Sequence, residues 1–211
     1  MKKLIQALVL VFLPFSASQA VPIVGFADVV LDFFDSGAGP IAGPYGGTFP
    51  SGPGFPIAVS LDVVLGDDPG PTGFQDFLSL PTGSFVTVGF TDETVIDGVG
   101  NDIFIQEIGG NGERAEVFVS SDLITFISLG IAQDNTTTAL DLASIGFTDP
   151  VQGIKIVGLD NLGGSPGFDV VNIEVLPGSI GPPPNIPEPA TILLMGLGIA
   201  SIAFGRRKKT F

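Results

Sequence analysis

Asp102-Ile-Phe-Ile-Gln-Glu-Ile108 and Ala115-Glu-Val-Phe-Val-Ser120 set the fold class, because in both the apolar side chains recur every second residue. A period of two places alternate side chains on opposite faces, the signature of a half-buried strand and not of a helix. The same reading holds for Ser84-Phe-Val-Thr-Val-Gly-Phe90, Gly153-Ile-Lys-Ile-Val-Gly158 and Asp169-Val-Val-Asn-Ile-Glu-Val175. Working outward, 28–34, 58–65, 125–131 and 138–142 add further strands, with Gly, Pro, Asn and Asp clusters at the breaks. Eight or nine strands in one domain, without a fixed-period repeat, predict an all-β, jelly-roll-like two-sheet β-sandwich over residues 21–176.

Composition narrows the chemistry available to that sandwich. The chain has no cysteine, so an exported domain must be held by apolar packing without disulfides. Absence of both cysteine and histidine removes the usual ligands of zinc, copper and haem, and with them Ser-His-Asp and Cys-His catalysis. Six of the eight basic residues lie in the two termini, so between Val21 and Pro184 only Arg114 and Lys155 oppose 21 carboxylates, a net charge of −19. A body of that sign repels phosphate backbones, which excludes nucleic acid as a partner and leaves divalent cations and neutral polymers. Solubility alone also accounts for such a surface.

Both ends read as addresses. Lys2 and Lys3, the apolar run from Leu4 to Phe15 and the small residues Ser18-Gln19-Ala20 form a signal peptide helix over 1–20, cleaved by signal peptidase after Ala20. At the other end a proline-rich linker over 177–189 leads to an apolar helix over 190–205 and the basic tail Arg206-Arg207-Lys208-Lys209. Positive charges resist translocation, so this tail stays cytoplasmic and the body lies outside. Some 16 residues at about 1.5 Å each give roughly 24 Å, short against a hydrocarbon core of about 30 Å. The span therefore suits a temporary membrane anchor.

Ile186-Pro187-Glu188-Pro189-Ala190, the Leu193-Leu194-Met195-Gly196-Leu197-Gly198 run and the basic tail resemble the PEP-CTERM sorting signal of Gram-negative bacteria, over 186–211. The resemblance implies recognition by a membrane-bound exosortase and an association with exopolysaccharide and biofilm. In it, Pro187, Glu188, Pro189, Arg206, Arg207, Lys208 and Lys209 are sorting residues. Physically, two prolines hold an extended backbone, poor in donors, that a processing enzyme can grip.

The body is similar, less sharply, to galactose-binding-like jelly-roll domains over about 60–176, through Asp92 to Ile108, Ala115-Glu-Val-Phe-Val-Ser-Ser-Asp122, Leu140-Asp-Leu-Ala-Ser144, Ile154-Lys-Ile-Val157 and Gly167-Phe-Asp169. Leu123 departs from that pattern where Gly often follows Ser-x-Asp, and Val171 where Asp often follows Gly-Phe-Asp-x. The resemblance implies a binding fold without naming a ligand.

Candidate sites are few. The Gly/Pro-rich stretch 36–56 reads as a long loop whose Tyr45, Phe49 and Phe55 could stack on a sugar face or pin the loop to the sandwich. Oxygen side chains on glycine-bent turns suit a structural Ca²⁺ at Asp97, Asn101 and Asp102, or at Asp160, Asn161 and Asp169; turn chemistry alone also explains them. No other cofactor is expected. A glycoside hydrolase would need two carboxylates from Glu93, Glu107, Glu116 and Glu174, but the strand positions of the last three predict an outward, solvated face. Asn135-Thr136-Thr137 matches a glycosylation acceptor, a weak signal in a bacterial exported protein.

The sequence thus predicts an exported, non-enzymatic protein of the periplasm, cell surface or extracellular matrix, anchored in the inner membrane before processing. It binds or forms part of a polysaccharide matrix, or alternatively serves as a structural or adhesive surface protein without a discrete ligand site.

Overall fold

The computed structural model describes residues 25–50, 54–67 and 74–181. The signal peptide with Ala20, the apolar segment 190–205 and the sorting residues from Pro187 to Lys209 lie outside the described residues. Fourteen strands are present among those described: β1 (Gly25–Phe26), β2 (Val29–Phe34), β3 (Tyr45–Phe49), β4 (Ile57–Ala58), β5 (Gln75–Leu80), β6 (Phe85–Gly89), β7 (Thr94–Val95), β8 (Ile103–Glu107), β9 (Arg114–Ser120), β10 (Ile127–Gln133), β11 (Thr137–Leu140), β12 (Gly153–Gly158), β13 (Phe168–Val175) and β14 (Ile180–Gly181). No helix among the described residues is long and apolar enough to cross a membrane.

Two antiparallel sheets form the sandwich. One has the order β11-β8-β13-β5-β3-β4, with β1 also paired to β13; the other has the order β10-β9-β12-β6-β2. The pair β7 and β14 stands apart. The chain crosses directly between sheets at β1–β2, β2–β3, β5–β6, β8–β9, β10–β11, β11–β12 and β12–β13, so many neighbours in each sheet come from distant sequence. Alternation then fills the space between the sheets: Leu78, Leu80, Ile103, Ile105, Val170 and Ile173 of the first meet Val86, Val88, Val117, Val119, Ile154 and Ile156 of the second in one buried cluster. At about 1.5–3 kcal/mol for each fully buried Val, Leu or Ile side chain, this cluster is the main source of stability in a chain without disulfides.

Two expectations need correction, and one strand was not foreseen. The stretch 36–56 is not all loop, because Tyr45–Phe49 forms β3, an inner strand between β5 and β4. Its glycines serve close approach: a Cβ on Gly46 would lie 1.9 Å from the Phe77 carbonyl oxygen. Residues 58–65 do not extend as a strand; after β4 the chain turns into a 3-10 helix at Leu61–Val64, where the Ser60 hydroxyl accepts from the Asp62 N–H. β5 escapes the period-two search because both of its faces are covered, leaving Phe77, Leu78, Ser79 and Leu80 all buried.

Antiparallel pairing sorts the connections into two ends. Loops 108–113, 134–136 and 159–167 gather at one end, here the upper; the segments around Asp28, Glu93, Asp102 and the β11–β12 connection lie at the lower end.

Candidate functional sites

The outer face of the five-stranded sheet carries a groove that the sequence did not single out. Register places Asp32, Thr87, Lys155, Phe118 and Ser128 in one row across β2, β6, β12, β9 and β10. Lys155, one of the two cations of the body, holds its Nζ 3.8 Å from the Phe126 ring centroid and 4.6 Å from that of Phe85. Phe34, half-exposed, stacks on Phe85 with centroids 5.6 Å apart. Leu31, Leu123 and Ile124 close the groove around Lys155 and Asp32, and the Thr87 hydroxyl at its floor has no hydrogen-bond partner.

One wall of this groove is strained. Leu123 sits at φ 60°, a left-handed conformation that costs a residue with a Cβ roughly 1–2 kcal/mol. It is held there because the Ser120 hydroxyl accepts from the Leu123 N–H at 2.9 Å, while the Asp122 carboxylate accepts from the N–H groups of Ile124 and Thr125. Those N–H groups hold the Asp122 carboxyl below the usual range. The position thus keeps the left-handed backbone that suits glycine, and the leucine there places an apolar side chain over Gly153 in the groove wall.

The aromatic trio of 36–56 is divided. Tyr45 is 1 % exposed, and its hydroxyl donates to the Pro166 carbonyl at 2.5 Å, so it offers no ring face to a ligand. Burial and the charges of Asp169 and Asp35 push its pKa upward. Phe49 and Phe55 remain partly exposed, Phe55 packing edge-on against Phe77.

Of the two turn clusters, Asp97, Asn101 and Asp102 lie at the lower end. Asp102 is fully buried and acts as a hub: its Oδ1 accepts from the Gly98 N–H and the Ser179 hydroxyl, and its Oδ2 from the Leu142 N–H, at 2.6–2.8 Å. Asp97 and Asp141 lie beside it, and Asn101 is exposed. The other cluster is split. Asn161 turns away to accept from the Thr82 N–H, whereas Asp160 and Asp169 flank a different acidic centre at the upper end.

That centre consists of Glu107, Glu113 and Asp134, with carboxylate oxygens within 4.8 Å of one another. Glu107, expected to face solvent, is 4 % exposed. It shares the parity of Ile103 and Ile105 in β8, so its side chain points between the sheets. Glu113 is 0 % exposed, and neither of its oxygens has a hydrogen-bond partner; the Oε1 of Glu107 has none either. The Asn135 N–H, in a left-handed turn at φ 49°, donates to the other Glu107 oxygen. Asp134 accepts from the Asn111 and Gly112 N–H groups and so ties the β10–β11 turn to the β8–β9 loop. Burial first, and then neighbouring carboxylates, raise Glu107 to about 7, Glu113 to about 8 and Asp169 to about 9; the Ser79 hydroxyl works against the rise at Asp169.

The remaining glutamates diverge. Glu93 is buried at the lower end beside Asp92 and Asp28, and is raised to about 8 by burial and by Asp92. Glu116 lies on the outer face of the five-stranded sheet, accepting from the Ser128 hydroxyl, and Glu174 on the outer face of the other sheet.

Residues 185–209 match the PEP-CTERM protein-sorting motif. No curated protein matches the chain. The chain is thus an exported, envelope-sorted protein that carries the signal of an exosortase substrate, with an all-β body.

Proposed function

We propose that the sandwich is a non-enzymatic binding module of the extracellular polysaccharide matrix, and that it holds neutral glycan chains on the outer face of the five-stranded sheet. The observation that carries this reading is the groove around Lys155. The partly exposed rings of Phe34 and Phe126 can stack on the apolar faces of sugars, while Lys155 and Asp32 offer donors and acceptors to ring hydroxyls. Strain at Leu123 in the groove wall agrees with a functional surface. The sorting motif supplies the setting, since a protein routed to the envelope meets such polymers. A net charge of −19 on the body favours neutral over anionic chains.

What supports the non-enzymatic reading is the divergence of Glu93, Glu107, Glu116 and Glu174 onto two ends and two opposite outer faces. A hydrolase needs two carboxyl groups roughly 5–10 Å apart across an open cleft.

The test is a glycan array probed with the exported protein and with Lys155→Ala and Phe126→Ala. Retention on one neutral polysaccharide class, lost by at least tenfold in both variants, is the expected result. Absence of binding to every glycan leaves the structural or adhesive reading in its place.

A further inference from the structure

We propose that Glu107, Glu113 and Asp134 form a Ca²⁺ site that locks together the three connections at the upper end of the sandwich. This inference is independent of the polysaccharide reading, because the site lies at the end of the sandwich and the groove on its face.

The argument starts from unpaired oxygens. A fully buried carboxylate is rarely left without a donor, because the desolvation of its charge must be offset by hydrogen bonds or a counter-charge. Three buried oxygens, two on Glu113 and one on Glu107, have no partner. A proton shared between the two carboxyls serves one O–H···O contact and leaves the rest unpaired. A hard divalent cation accepts several carboxylate oxygens at once.

The space is prepared by glycine. A Cβ on Gly109 would sit 2.6 Å from the Glu107 Oε1, 2.8 Å from the Glu113 Oε2 and 3.3 Å from an Asp134 oxygen. A Cβ on Gly163 would sit 2.0 Å from the Glu113 Oε1. The backbone therefore comes close to these carboxylates only because two residues lack side chains.

Each of the other acidic clusters has a single unpaired buried oxygen, on Asp97 or on Glu93; beside Asp97 the buried Asp102 is saturated by three donors, and beside Glu93 the two neighbouring carboxylates are exposed. The only salt bridge among the described residues is Arg114 with Asp160, at 4.0 Å and largely exposed on the arginine side, so no protein cation enters the centre. Ca²⁺ fits better than Mg²⁺ because it tolerates irregular oxygen cages without demanding octahedral geometry. Extracellular modules bind it with Kd of about 10⁻⁴–10⁻³ M, a range suited to an exported protein.

The molecule carries its own probe. Tyr45 is the single tyrosine, there is no tryptophan, and its hydroxyl is bonded to Pro166 in the same loop as Asp160 and Gly163. Tb³⁺ bound at the centre is therefore excited through one known ring. With the full exported chain stripped by chelator, tyrosine-sensitised Tb³⁺ luminescence should saturate at one equivalent and fall on adding Ca²⁺. A tenfold excess of Mg²⁺ over that Ca²⁺ should leave it in place. Both Glu113→Gln and Asp134→Asn should weaken Tb³⁺ and Ca²⁺ at least tenfold; the half-buried turn position of Asp134 keeps the test usable if Glu113→Gln fails to fold. No saturable signal and no Ca²⁺-dependent change in Tm up to about 10 mM would overturn the proposal. Binding unchanged in both variants, or Mg²⁺ displacing Tb³⁺ as readily as Ca²⁺, would overturn it equally.

Discussion

Asp102 and Glu113 are both fully buried acids, at opposite ends of the same sandwich, and they have opposite surroundings. Asp102 gathers two N–H groups and a hydroxyl from three separate segments, so its charge is met by the protein itself. Glu113 meets other carboxylates and no donor. At the lower end Asp102 is answered by hydrogen bonds; at the upper end Glu113 meets only carboxyl groups, and without a cation burial and those neighbours raise it to about 8. Burial alone therefore does not say what an acid does, and its donors decide between organiser and ligand.

The largest effect should come from breaking the lower end. Asp102→Ala leaves three donors unsatisfied at once and should cost about 3–5 kcal/mol in urea unfolding, equally with chelator and with Ca²⁺. A loss below about 1 kcal/mol would mean that water replaces the carboxylate, and the contrast between the two ends would dissolve.

Substitution at the upper end should have the opposite sign. In chelator above about pH 8, where Glu113 is ionised, Glu113→Gln removes a buried charge and brings an amide donor to Glu107, so Tm should rise, by about 1–2 kcal/mol in stability. In Ca²⁺ the same variant should be the less stable of the two. A destabilised variant in chelator would show that Glu113 is already satisfied.

Leu123→Gly sharpens the contrast between scaffold and groove. Relief of the left-handed strain should raise stability by about 1 kcal/mol, less whatever Leu123 contributes by packing on Gly153, while glycan retention falls. Retention unchanged would remove Leu123 from the binding surface.

The smallest effect concerns pH at the lower end. Glu93 is held protonated by burial, with Asp92 and Asp28 facing it, so its folded pKa of about 8 exceeds its ordinary value of 4.5. Its contribution to stability is complete below pH 4.5 and is lost as pH rises through about 8. Glu93→Gln should therefore flatten the decline of Tm between pH 5 and 9 by a few degrees, measured in chelator, with Asp102→Ala leaving the slope intact. An unchanged slope in Glu93→Gln would place the decline elsewhere.

Much of the frame was legible. Strands β2, β8 to β11 and β12 follow from alternation because each has one face on the core and one towards water, whereas β6 and β13, almost wholly buried, are readable because polar residues still alternate with their apolar ones. β3 and β5 were not legible, for opposite reasons: glycines hide β3, and burial on both faces removes the alternation from β5. At the acidic centre the parity of Glu107 with Ile103 and Ile105 was a readable signal, outweighed by the general rule that strand glutamates face solvent. The run Gly109-Gly110-Asn111-Gly112 before Glu113 was a second. Nothing local could bring Asp134 to them, since that contact is made by two connections, β8–β9 and β10–β11, that cross between sheets.

The sequence by itself determined the address, the β class, the acidity of the body and the exclusion of histidine and cysteine chemistry, because each of these is a property of composition, periodicity or a contiguous motif. Only the tertiary structure decided which acids are answered by donors and which face each other, that Tyr45 is buried, and that Lys155 lies between two phenylalanine rings. The physical reason is that hydrogen bonding and desolvation act between groups adjacent in space, and a sandwich whose strands cross repeatedly between sheets makes those neighbours from residues far apart in the chain.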